Sequence, residues 1–185
     1  MADHPAHDAF DSEELLALAR VALERNDLEG ALAKVKKALG AADPSAEAIG
    51  VAARVYAQLG LYTRAEKLYE QFLAKHPKAA LERFQLGMTR FDAGRPGDAL
   101  EVWNALLKEQ PLHPPALFYS ALALTKVGKT SEARAGLDML FRSIPADNLY
   151  FGRGRELLQS IESGTAAAQA ASASARPADP YRTTH

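Results

Sequence analysis

A period constrains this chain more than anything else in it. Shifted against itself by 34 residues, the sequence aligns four segments without a gap, starting at Ser12, Ala46, Ala80 and Pro114. One column reads Ala19, Ala53, Gly87, Ala121, all small, as a close crossing of two helices requires. A second reads Asn26, Gly60, Gly94, Gly128, the residue types that tolerate the left-handed backbone ending a helix. A third is alanine throughout, at positions 31, 65, 99 and 133. Val35, Tyr69, Trp103 and Leu137 form a large apolar column, and Asp43, Pro77, Pro111 and Pro145 a closing one.

Between these markers the apolar residues recur at helical spacing. In the stretch Phe84–Pro111, the set Phe84, Met88, Phe91 is followed by the break Gly94-Arg95-Pro96 and a second run, Ala99, Leu100, Trp103, Leu106, Leu107. Each segment therefore reads as two short helices and a tight turn. The pairs are placed at 12–25 and 28–41, 46–59 and 62–75, 80–93 and 96–109, and 114–127 and 130–143. Asp11 with Glu14 forms a capping box. Asp27, Thr63 and Thr130 are expected caps, and Pro96 suits a first helical turn. One hairpin cannot bury both faces of its helices, so the pairs need one another.

These columns resemble the tetratricopeptide repeat family, whose 34-residue signature sets a small residue, a turn glycine, an alanine, a large apolar residue and a closing proline in this order. The resemblance covers Ser12 to about Asp147. It implies an all-α fold: a right-handed solenoid of four helix pairs over 12–147 (repeats 12–45, 46–79, 80–113 and 114–147). Residues 1–11 read as a flexible arm. Leu149, Phe151, Leu157, Leu158 and Ile161 suggest a final helix over 148–163, either a lid on the last repeat or a displaceable segment that docks a partner. The alanine- and serine-rich tail, 164–185, is expected to be disordered.

The family's first helices line a concave side that receives an extended or helical peptide. On that side the resemblance places Phe84, Met88 and Phe91 in the third repeat, Phe118, Tyr119 and Leu122 in the fourth, and Arg20 and Arg54 in the first two. For Phe84 and Phe91 two readings stand. Arg83 and Arg90 occupy columns that the family fills with large apolar residues. A rotated helix would turn the phenylalanines into core and the arginines to water, whereas Gly87 argues for the unrotated register. Arg20 reads either as a solvated partner of Glu24 or, with Arg54, as a holder of acidic groups on a ligand. The carboxylate clamp of heat-shock co-chaperones would fall on Leu16, Arg20, Val51, Leu81 and Gln85, and only Arg20 is basic, so no such clamp is expected. The apolar groove is similar to that of type III secretion chaperones, and ALEVWNALLKEQP resembles repeats of cytochrome c assembly factors.

The function implied is a non-enzymatic adaptor, chaperone or scaffold that binds a protein or peptide. The alternative is a structural subunit that self-associates, or joins a larger complex, through its outer face, with Trp103, Tyr69 and the end helix in that role. A net charge of −1 argues against nucleic acid as the main partner. The absence of cysteine excludes disulfides and thiol chemistry. No run approaches the ~20 apolar residues of a membrane span, and MADHPAHDAFDSEELL lacks the pattern of a secretory signal. The cytoplasm is the expected location. No catalytic spacing, cofactor motif or metal site is read. His76 and His113 read as loop residues, and Ala2-Asp3-His4 would offer a copper(II) or nickel(II) square only with a free amine at Ala2.

Overall fold

The structure, a computed structural model, describes residues 11–40 and 43–174. Among them are nine helices and no strand: α1 (Ser12–Glu24), α2 (Leu28–Leu39), α3 (Ala46–Gln58), α4 (Tyr62–Lys75), α5 (Ala80–Asp92), α6 (Pro96–Glu109), α7 (Pro114–Lys126), α8 (Thr130–Ser143) and α9 (Leu149–Ser174). The first eight begin at the residues that the 34-residue period marks. Residues 1–10 of the arm, with the Ala2-Asp3-His4 start, and the tail from 175 lie outside the described residues.

The turns inside the pairs repeat one device. Asn26, Gly60, Gly94 and Gly128 have φ of 57°, 71°, 77° and 79°. The amide after each reaches back to close the preceding helix: Asp27 to Ala22 (2.8 Å), Leu61 to Tyr56 (2.9 Å), Arg95 to Arg90 (3.0 Å) and Lys129 to Leu124 (2.8 Å). This six-residue closure ties up carbonyls that a helix end otherwise leaves unpaired.

The Asp11–Glu14 capping box is present, and Asp27 accepts from the Gly30 amide. Thr63 and Thr130 do not cap. Only one residue separates the left-handed glycine from the next helix, so Leu61 and Lys129 occupy the cap positions and both threonines fall inside their helices. Pro96 opens α6 as expected.

The chain forms two compact units that divide between Pro111 and Leu112. In the first, α1–α2, α3–α4 and α5–α6 are packed hairpins, α2 lies on α3, and α4 lies on α5. Small residues fill the crossings: Ala19, Ala31, Ala53, Ala65 and Ala99 are fully buried, with Val35, Tyr69 and Trp103 wedged between them. Full burial of a large apolar side chain contributes about 1.5–3 kcal/mol. The indole of Trp103 lies on the backbone of α5 beside Gly87 and donates from Nε1 to the Phe84 carbonyl, 3.2 Å away. Such burial takes Tyr69 and Trp103 out of any outer-face role.

In the second unit α7 pairs with α8, and α9 packs against both. Gly154 lets α9 approach Phe141 and Leu140, and Ile161 is buried. The helix does not stop before Gly164 but runs on to Ser174. An interior glycine costs only about 1 kcal/mol relative to alanine, and the alanine-rich run after it favours helix.

Candidate functional site

The face expected to bind a partner is built from the first helix of each pair. In the first unit these are α1, α3 and α5, and α3 contacts both of the others. Arg20 and Arg54 stand at one repeat position on α1 and α3, and Met88 occupies the same position on α5. Arg20 does not pair with Glu24. It reaches across to Glu47 of α3, which takes its charge.

Arg54 lies where two hollows meet. One, of about 300 Å³, is bounded by Arg20, Glu47, Gly50, Phe72 and Glu82. The other, of about 190 Å³, is bounded by Gln58, Gln85, Met88, Thr89 and Asp92. Arg54 itself is half-buried and makes no ion pair or hydrogen bond among the described residues. Beneath it the Tyr69 hydroxyl is buried without a hydrogen-bond partner. Burial pushes that phenol up to about 12, Arg54 pulls it back and Glu82 adds to the rise. The Asp92 carboxyl is also pushed up by burial, with no cation opposing the shift.

Phe84 and Phe91 are elsewhere. Both rings lie on Trp103 of α6, with centroids 6.1 Å and 5.9 Å away. Phe84 is only 9% exposed and belongs to the α5–α6 interface rather than to an open groove. The helix has not rotated, because Gly87 still faces Trp103. Arg83 and Arg90 tolerate their semi-buried columns through ion pairs: Arg83 with Glu109 at 2.8 Å, and Arg90 with Glu70 at 3.0 Å and Glu66 at 3.5 Å. Their aliphatic stems supply packing while the guanidinium groups are neutralised.

In the second unit the expected aromatic pair is covered by its own chain. Phe118, 8% exposed, lies 5.7 Å from Tyr150 of α9, and Tyr119 meets the same ring edge-on at 6.5 Å. Leu122 is half-buried on the same helix. Burial, then Tyr119, push the Tyr150 phenol up, and Arg153 opposes them. Elsewhere in this unit Leu112, in the turn before α7, and Met139 of α8, 61% and 47% exposed, border a further hollow of about 200 Å³.

The period brings Arg20, Arg54 and Met88 to one face and removes Phe84, Phe91 and Phe118 from it. Gln58 and Asp92 were not among the residues expected there. Their signal lies in the sequence, since they share a repeat position four residues beyond Arg54 and Met88. Among the described residues no group of three or more histidine and acidic side chains gathers to hold a metal ion, and no helix is long and apolar enough to cross a membrane.

The tetratricopeptide repeat profile matches residues 51–83 and 84–148, more than half of the chain. Among curated proteins none matches it in sequence. Solved structures do match. A tetratricopeptide repeat protein from Parabacteroides merdae superposes with a TM-score of 0.69 at 20% identity, over 83% of this chain and 60% of that one. MamA of AMB-1 gives 0.64 at 20% identity, over 74% of this chain and 81% of its own. MamA of MSR-1 gives 0.63 at 20% identity, over 85% and 82%. At such identity the likeness carries the fold, an all-α repeat architecture, and not a shared partner.

Proposed function

The chain belongs to the tetratricopeptide repeat family, and on that premise we propose that it is a non-enzymatic interaction module, an adaptor or chaperone that receives a peptide segment of a partner protein on the face of its first helices. The observation that carries this reading is the row Arg20, Arg54, Met88, repeated at one position of successive helices and flanked by two open hollows. Gln58 and Gln85 add carboxamides that can bond both the N–H and the C=O of an extended backbone. In the second unit Tyr119 and Leu122 are half-buried on the first helix, α7.

A photo-crosslinking amino acid at Met88 tests it. Capture of a partner segment from Met88, with none from an outer position such as Met139, is the expected result. The reverse pattern would refute the first-helix face. It would favour a second reading, a subunit that joins a complex through its outer surface, which the exposed Leu112–Met139 hollow supports. Sedimentation across a concentration series then tells whether that surface meets a second copy of the chain. Glutamate at Phe84 or Phe118 is unsuitable as a binding test, because both rings are packed inside their units.

A further inference from the structure

Arg54 is an exception among the half-buried arginines of its unit. Arg83 and Arg90 each have a carboxylate within 3.0 Å. Arg54, also half-buried, has none among the described residues. Its guanidinium nitrogens are not among the buried unpartnered atoms and stay open to the hollows around them. Two acids are nearby and neither serves. Glu82 and Arg54 both act on the buried Tyr69 hydroxyl, in opposite directions, yet they form no ion pair. Asp92 lines the adjoining hollow and forms no ion pair with Arg54. The guanidinium thus keeps its donors free at the junction of two hollows, one lined by the N-terminal part of α3 and the other by its C-terminal part.

Resting on the reading that the first-helix face receives a peptide, we propose that Arg54 selects the segment: it takes the side-chain carboxylate of an aspartate or glutamate within an extended peptide whose backbone continues through both hollows. An internal acidic residue fits better than a chain end. A terminal carboxylate on Arg54 would leave one hollow empty, and both have room for chain. The planar fork of the guanidinium matches a carboxylate with two parallel bonds, which a lysine could not supply. The Gln58 and Gln85 carboxamides flank the position on one side and the Arg20–Glu47 pair closes it on the other.

The test is selection of random twelve-residue peptides displayed on phage against the full chain, followed by fluorescence anisotropy on the selected sequences. Peptides sharing one internal Asp or Glu are expected. Replacing that acid by its amide should weaken binding to the wild type about tenfold or more and leave binding to Arg54→Gln unchanged. Arg54→Glu should instead select Lys or Arg at that register. Blocking the peptide's C-terminus as an amide should change nothing; a loss there would assign a terminal carboxylate and overturn the proposal. Peptides that Met88→Glu no longer binds, but that show no acidic preference, would overturn the role of Arg54 and leave the groove standing. Peptides indifferent to both substitutions would overturn the groove as well. Arg54→Gln should keep its helicity and melting temperature, and a variant that unfolds would make Arg54 a structural residue instead.

Discussion

Gly87 and Trp103 occupy what amounts to a single site: a Cβ added to Gly87 would lie 2.1 Å from Nε1 of the indole. The small residue of α5 and the large residue of α6 are therefore one choice made on two helices. The contact also completes the polar accounting of the ring, because the indole N–H reaches the Phe84 carbonyl only if nothing stands between them.

Gly87→Ala should accordingly destabilise the chain despite alanine's better helix propensity. Overpacking of a filled interface costs about 1–3 kcal/mol, which exceeds the ~1 kcal/mol gained in propensity. Thermal unfolding should show a lower midpoint. The emission of Trp103, the chain's one tryptophan, should shift to the red as its ring is pushed toward water.

Tyr69→Phe should be neutral or stabilising at pH 7. Its hydroxyl is buried and unpartnered, and such a group costs about 1–3 kcal/mol. The same substitution should change alkaline behaviour. Folding holds the phenol neutral, raising it from 10.0 to about 12. That stability is complete below pH 10 and is lost as pH climbs through about 12. The phenylalanine variant should resist this loss when helicity is followed by circular dichroism from pH 9 to 12.

His113 should make the second unit acid-sensitive. Its Nδ1 accepts from the Ala116 amide at 3.2 Å and caps α7. Burial lowers its affinity for a proton, against a backbone hydrogen bond that raises it. The folded state therefore excludes a proton that the unfolded state accepts, so stability is full above about pH 6.5 and falls below it. His113→Asn caps without titrating. Its melting temperature should be flatter than the wild type's between pH 7.5 and 5, and parallel curves would remove the cap from the explanation.

Glu66→Gln should cost about 1–3 kcal/mol, the usual consequence of leaving a charged hydrogen-bond partner under-satisfied. Glu66 is well shielded, with its side chain 13% exposed, and it serves both Arg90 and Arg95. Denaturant midpoints for the two proteins should draw closer at high salt, where screening weakens what the exposed ends of this cluster contribute. An equal gap at low and high salt would mean that packing, not charge, is what the glutamate provides.

The start of each paired helix, the left-handed turns and the buried alanine column were legible because each rests on local rules repeated at one spacing. The facing of Phe84, Phe91 and Phe118 was not. Periodicity says which residues share a stripe. A first helix, however, has neighbours on more than one side, and an apolar stripe can serve its hairpin partner or an open face equally well. Trp103 decided the matter for Phe84 and Phe91, and Tyr150 for Phe118. Arg83 and Arg90 looked misplaced only because the acids that accommodate them, Glu109, Glu66 and Glu70, lie on other helices. The extent of α9 escaped for a different reason: the tail's alanine- and serine-rich composition reads as disorder from Gly164 on, yet a glycine near an alanine run weakens a helix without ending it.

Helix α5 is held differently on its two sides. Toward α6 it rests mainly on the Trp103 indole, through its own two phenylalanine rings, with the Arg83–Glu109 pair at the edge. Toward α4 it is tied in part by Arg90 and by the Arg95 that follows it, both of which reach Glu66. The third hairpin is therefore the stiff piece, and the joint behind it is the compliant one. A rise in ionic strength slackens that joint more than the hairpin, whose one ion pair lies beside an aromatic contact.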